Sequence, residues 1–163
     1  MREADEWSGH ARGPLGGECR RRVPALEYDY DASADAIGLQ AAQALGRSAS
    51  TVFKTLIVAL DSGELVCAII PSDTRLNLKA IASAAGAKKA ELSDPKKAER
   101  ITGYVVGGIS PLGQRKRLRS FIDASAPVLN EIVVNGGQRG LQIVLRPADL
   151  ILATSAMVVS LQS

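Results

Sequence analysis

The chain has 163 residues, enough for one domain with its own core. Its net charge is +3, which is compatible with nucleic-acid binding but too small to require it. Hydrophobic residues make up 46 % and aromatics only 4 %, so the core must be aliphatic. Cys19 and Cys67 lie far apart in unlike contexts, which excludes a disulfide framework and makes a reducing cytoplasm the expectation. There is no apolar run of about 18 residues to span a membrane, and no apolar core of a secretory signal at the start.

Met1 to Arg22 is polar, rich in Gly, Arg and Glu, and lacks apolar periodicity. It is expected to be a disordered tail, with the folded domain running from 23 to 163. The only histidine, His10, falls in that tail. Val23–Asp31 alternates as a first strand with Leu26, Tyr28 and Tyr30 on one face. Those tyrosines line a pocket or cap the rim of the core. Gly38–Leu45 reads as a short helix closed by Gly46. Thr51–Leu60 is the most apolar strand and is expected to be central, with both faces covered. Asp61-Ser62-Gly63-Glu64 turns it into a hairpin with Leu65–Pro71, on which Cys67 is a small buried hydrophobe. Lys54 is anomalous on such a strand: its ammonium must snorkel, or meet an anion or a carbonyl oxygen.

Asp73–Gly86 reads as a loop and a helix, and Lys88–Leu92 as a short strand. Asp94-Pro95 opens a helix that Gly103 ends. Tyr104–Val106 reads as a strand running into Gly107-Gly108-Ile109-Ser110-Pro111-Leu112-Gly113-Gln114. That glycine-rich turn allows close approach of a ligand to the backbone, and Arg115, Lys116, Arg117 and Arg119 follow it. Ser120–Asp123, Ile132–Val134 and Leu141–Leu145 read as strands, and Pro147 opens a terminal helix. Gly136, Gly137 and Gly140 suggest a second place of close backbone approach. The tail after Ala156 is apolar enough to pack back on the sheet. The expected fold is mixed α+β, with about seven short strands in a curved, barrel-like sheet and peripheral helices.

Several chemistries are excluded. A Ser-His-Asp or Cys-His set needs a histidine on the fold, and zinc needs Cys/His clusters. There is no Walker A motif, and Gly107-Gly108 lacks the dinucleotide spacing. The protein therefore binds without turnover, or catalyses by positioning, backbone dipoles and groups of the substrate.

The stretch Tyr104–Gln114 resembles the signature of the YbaK-type Cys-tRNA(Pro) deacylases, editing domains related to the insertion domain of bacterial prolyl-tRNA synthetase. Phe53-Lys54-Thr55-Leu56 matches that group's lysine strand. Leu76–Lys79, Gly136–Leu141 and Pro147–Leu150 fit as well, so the resemblance runs from Ala25 to Leu152. It implies a trans-editing hydrolase that removes cysteine from mischarged tRNA(Pro) beside prolyl-tRNA synthetase, without metal or cofactor. The cysteinyl sulfur would attack its own ester carbonyl. By the same resemblance Lys54, Gly107, Gly108 and Ser110 carry the catalytic positions. Tyr30, Thr55, Ile109 and Pro111 contact the aminoacyl end, and pocket size excludes larger side chains. Arg115, Lys116, Arg117 and Arg119 are candidates for contact with tRNA phosphates, or else a solvated basic face. Two other functions stay open: a deacylase of another ester such as Ala-tRNA(Pro), and a module that holds tRNA or the synthetase without turnover. The sequence departs from the family in lacking its opening helix, of which only Val23-Pro24 remains.

Overall fold

The structure is a computed structural model that describes the backbone of residues 2–12, 18–34 and 36–163 and the side chains of 23–34 and 36–163. The strands form two sheets among the described residues. The first contains β1 (Arg2–Arg12), β2 (Glu18–Glu27), β8 (Leu141–Leu145) and β7 (Ile132–Asn135), in that order. The second runs β5 (Ala90–Leu92), β3 (Phe53–Leu60), β4 (Leu65–Pro71), β6 (Arg119–Asp123), β9 (Met157–Val159). Four helices accompany them among the described residues: α1 (Ile37–Ala44), α2 (Leu78–Ala85), α3 (Pro95–Thr102) and α4 (Pro147–Thr154).

The mixed α+β class is as expected, but the barrel-like closure is not found among the described residues. The two sheets meet at a single parallel bridge, Val52 to Val133, backed by the Val133 amide donating to the Thr51 carbonyl at 2.9 Å. Phe53, Ile57 and Ile69 of the second sheet face Ile132, Val134 and Ile143 of the first in the main core. The outer face of the first sheet is closed by Ala41, Ala42 and Leu45 of α1 and its following turn. The outer face of the second is closed by Ile81 of α2 and by Leu161.

The hairpin β3–β4 and helices α2–α4 follow local signals. Asn77 Oδ1 accepts from the Ala80 amide, and Asp94 Oδ2 accepts from the Lys97 amide ahead of Pro95. The backbone of Arg2–Arg12 and Glu18–Glu27 runs as an antiparallel ribbon, a main-chain pairing that needs no apolar period. His10 and Cys19 have side chains outside the described residues. Three expectations need correction. The strand expected over Val23–Asp31 is the end of β2 and stops at Glu27, so Tyr28 and Tyr30 lie in the loop beyond it. Tyr104–Val106 is a loop, not a strand, with Val105 and Val106 exposed. Finally, β4 is buried along its whole length, whereas Lys54, Thr55 and Leu56 of β3 are only partly buried.

Candidate active site

The reason for that partial burial is a change of neighbour. On the side away from β4, among the described residues, backbone pairing with β7 is limited to the bridge at Val52, just before β3, and pairing with β5 runs only from Val58 to Leu60. No strand pairs with that edge from Phe53 to Ile57 among the described residues. A cleft of about 580 Å³ opens there and wraps both faces of the strand. Its walls come from β3, from α1 and the segment before it, from Tyr28 and Ser72, from Leu92, Ser93, Pro95 and Ala98, from Val106, Gly107 and Ile109, and from Asn135 and Gln142.

Lys54 is the one charged residue lining the cleft among the described residues. Its Nζ donates to the Thr74 carbonyl at 2.6 Å and to that of Ser72 at 3.4 Å. An ammonium has three N–H groups, so one remains for a ligand oxygen. Burial holds its pKa below the usual lysine range; Asp73 opposes that shift and Arg75 adds to it. Thr55 Oγ1 and Ser72 Oγ are buried without a hydrogen-bond partner, and both residues line the cleft. They are the buried orphan side-chain groups among the described residues. Such groups cost about 1–3 kcal/mol each when left unpaired.

Two glycine turns lock together beside the cleft. Gly107 has φ +89°, and a Cβ there would lie 2.6 Å from the Tyr30 hydroxyl oxygen. A Cβ on Gly108 would lie 2.8 Å from the Arg139 amide nitrogen, so only glycine allows the two backbones to touch. Asn135 Nδ2 donates to the Gly107 carbonyl at 3.2 Å and to that of Gln138 at 3.1 Å. Val106 is held at both ends: its amide donates to Glu99 Oε1 at 2.9 Å, and its carbonyl accepts from Arg139 Nε at 3.0 Å. The Tyr104 hydroxyl donates to the Leu112 carbonyl at 2.6 Å, which closes the turn from behind.

The structure thus brings Lys54, Thr55, Gly107 and Ile109 to one cleft. Gly108, Ser110, Pro111 and Tyr30 stand behind that wall rather than on it. Ser110 is fully buried, and its Oγ accepts from the Leu112 amide at 3.1 Å, which makes the hydroxyl part of the turn. The basic cluster lies apart from the cleft. Arg119 pairs with both carboxylate oxygens of Glu64 and donates to the Ala85 carbonyl; Arg117 donates to Ser155 Oγ. Arg115 packs over Gly103, and Lys116 is exposed. The sequence reading missed Asn135, Gln142, Glu99 and Arg139. Only Asn135 carried a local signal, an Asn just before Gly-Gly, where its side chain caps the Gly137 amide at 2.7 Å.

Nothing on this wall is a prepared nucleophile. Cys67 is buried and its thiol is pushed up to about 11, mainly by burial. No Cys, His, Asp or Glu lines the cleft among the described residues.

Comparisons with known proteins show the family and the fold. The family model described as an aminoacyl-tRNA editing domain matches residues 33–152. A protein of Enterococcus faecalis, EbsC, assigned as a Cys-tRNA(Pro)/Cys-tRNA(Cys) deacylase, is 35 % identical over 137 residues, which is 83 % of this chain and 84 % of that protein. The multifunctional Ser/Thr-tRNA deacylase ProXp-y of Escherichia coli K12 is 32 % identical over 88 residues, covering 52 % of this chain and 51 % of that one. A crystal structure described as a trans-editing enzyme for prolyl-tRNA synthetase superposes with a TM-score of 0.76 at 22 % identity, over 86 % of this chain and 87 % of that one, which is a likeness of fold. The chain belongs to the aminoacyl-tRNA editing domain family.

Proposed function

We propose that, within this family of ester-hydrolysing domains, the protein is a trans-acting deacylase that removes cysteine from mischarged tRNA(Pro), working beside prolyl-tRNA synthetase. The observation that carries the reading is a cleft lined by one cation and by hydroxyl and amide groups, with no protein nucleophile or base among the described residues. The reacting group then comes from the substrate or from water. In the substrate-assisted route the cysteinyl sulfur bonds to the ester carbonyl carbon, the carbon–oxygen bond to the ribose breaks, and the thiol proton passes to the ribose oxygen. Water opens the resulting thiolactone to free cysteine. Lys54 stabilises the negative charge that develops on oxygen, and Gly107 lets the ester approach the turn backbone. Ile109 contributes an apolar wall. Gly108, Ser110, Pro111 and Tyr30 act by holding the turn.

Thr55 separates cysteine from alanine in this reading. Its unpartnered hydroxyl favours a thiol or hydroxyl side chain over a methyl, since a site built to hydrogen-bond leaves its own group unpaired with the analogue. The same feature, with the likeness to a Ser/Thr-tRNA deacylase, supports a second reading in which serine is removed by water attack. Hydrolysis of Cys-, Ser- and Ala-tRNA(Pro) under identical conditions separates the readings. Cysteine should be released fastest. Serine release at an equal or higher rate would favour water attack, and turnover of none of the three would leave only a binding module.

A further inference from the structure

The sequence offers Arg115, Lys116, Arg117 and Arg119 as the phosphate-binding surface, yet two of those guanidinium groups have protein partners away from the cleft. Arg139 is differently placed. It lies next to Gly107, with its Nε 3.4 Å from where a Gly107 Cβ would stand. Its guanidinium carbon sits 5.4 Å from the centre of the Tyr30 ring, and its Nε donates to the Val106 carbonyl. These contacts fix the plane of the group while using only one of its N–H bonds. No carboxylate pairs with Arg139 among the described residues. Glu27 and Asp29 share a depression of about 250 Å³ with it and would repel an anion there, which leaves the side toward Gly107.

We infer that the free Nη edge of Arg139 binds a backbone phosphate of the RNA acceptor end, next to the nucleotide whose ester enters the cleft. A planar fork held by a ring stack and a carbonyl matches two phosphate oxygens at small entropic cost. This rests on the deacylase reading for the identity of the RNA, but not for the phosphate contact itself.

The test uses Arg139→Gln and Arg139→Lys with two esters, Cys-tRNA(Pro) and 3′-cysteinyl-adenosine, which carries the ester but no phosphate. In Arg139→Gln the KM for Cys-tRNA(Pro) should rise about 10-fold more than the KM for cysteinyl-adenosine. The logarithmic salt dependence of binding to uncharged tRNA(Pro) should lose about one unit of slope, and Arg139→Lys should restore that slope without restoring full affinity. Equal KM increases on both esters, or an unchanged salt slope, would mean that Arg139 only holds Val106 and would overturn the inference. If the wild-type protein hydrolyses neither ester, the deacylase reading fails, and the salt slope alone still decides the phosphate contact.

Discussion

The two sides of the five-stranded sheet treat buried polar groups in opposite ways. At the far side, Asp123 ends β6 and is buried, and every contact it makes is used. Its Oδ1 accepts from the Leu161 amide at 2.8 Å, and its Oδ2 accepts from the Ser125 amide at 3.0 Å and from Gln162 Nε2 at 2.8 Å. At the β3 side, Thr55 Oγ1 and Ser72 Oγ are buried with no partner, and Lys54 keeps a spare N–H. The satisfied carboxylate is a fastener for the C-terminal segment. The unsatisfied hydroxyls are a cost that the fold carries alone, as expected where a ligand completes the hydrogen bonds. Mutations on the two sides should therefore separate stability from activity.

The largest effect is expected at the turn beside the cleft. Gly108→Val would drive a side chain into the Gln138–Arg139 backbone, and ester hydrolysis by the folded protein should fall by roughly 100-fold or more. Wild-type rates in that variant would remove the turn from the account. Next comes the opposite side, where Asp123→Ala should lower unfolding free energy by about 3 kcal/mol while leaving the turnover of folded molecules unchanged. Denaturant melts and active-site-normalised rates check both halves.

The same carboxylate gives a pH dependence. Burial alone would raise its pKa, but the hydrogen bonds from Ser125, Leu161 and Gln162 outweigh this and hold it below the usual aspartate value. A depressed pKa contributes stability above the unfolded value, near 4, and that contribution is lost as pH falls through the folded value. Wild-type stability should accordingly drop in acid more steeply than that of Asp123→Asn. Parallel curves would show that the charge is not what holds the C-terminal segment.

Thr55→Val should act in the reverse sense to Asp123→Ala. Replacing an orphan hydroxyl by a methyl of similar shape should raise stability by about 1 kcal/mol and reduce the preference for Cys-tRNA(Pro) over Ala-tRNA(Pro). A loss of stability would mean that the hydroxyl has a partner in the free protein. The smallest effect belongs to Arg119→Ala. Its exposed pair with Glu64 is worth about 0.5 kcal/mol, and tRNA affinity should not change beyond the loss of one distant surface charge.

Much of this contrast was open to sequence reading on one side only. Helix starts at Asp94-Pro95 and Pro147, and the turn at Gly63, are local chemistry and were visible, whereas the Asn77 cap of α2 was not singled out. The lysine on β3 was visible as an anomaly, and a carbonyl oxygen was among its expected partners. The open edge was not visible, because it depends on which strands β3 meets on its far side, and those are β7 and β5, distant in sequence. Tyr104–Val106 misled for a related reason. Three apolar residues in a row look like a strand, but Glu99 and Arg139 take the Val106 amide and carbonyl, so no neighbouring strand is needed. Ser110 was legible as a hydroxyl beside a ligand loop; that the hydroxyl turns inward to the Leu112 amide was not.

The central claim is that the ester is cleaved in the cleft at the open edge of β3, under the ammonium of Lys54. Single-turnover hydrolysis of Cys-tRNA(Pro) by wild-type protein and by Lys54→Ala, at matched concentrations of folded protein, tests it most directly. The account predicts measurable turnover by the wild type and a loss of about 100-fold in the variant, with little change in melting temperature. Equal rates in the two proteins would contradict it.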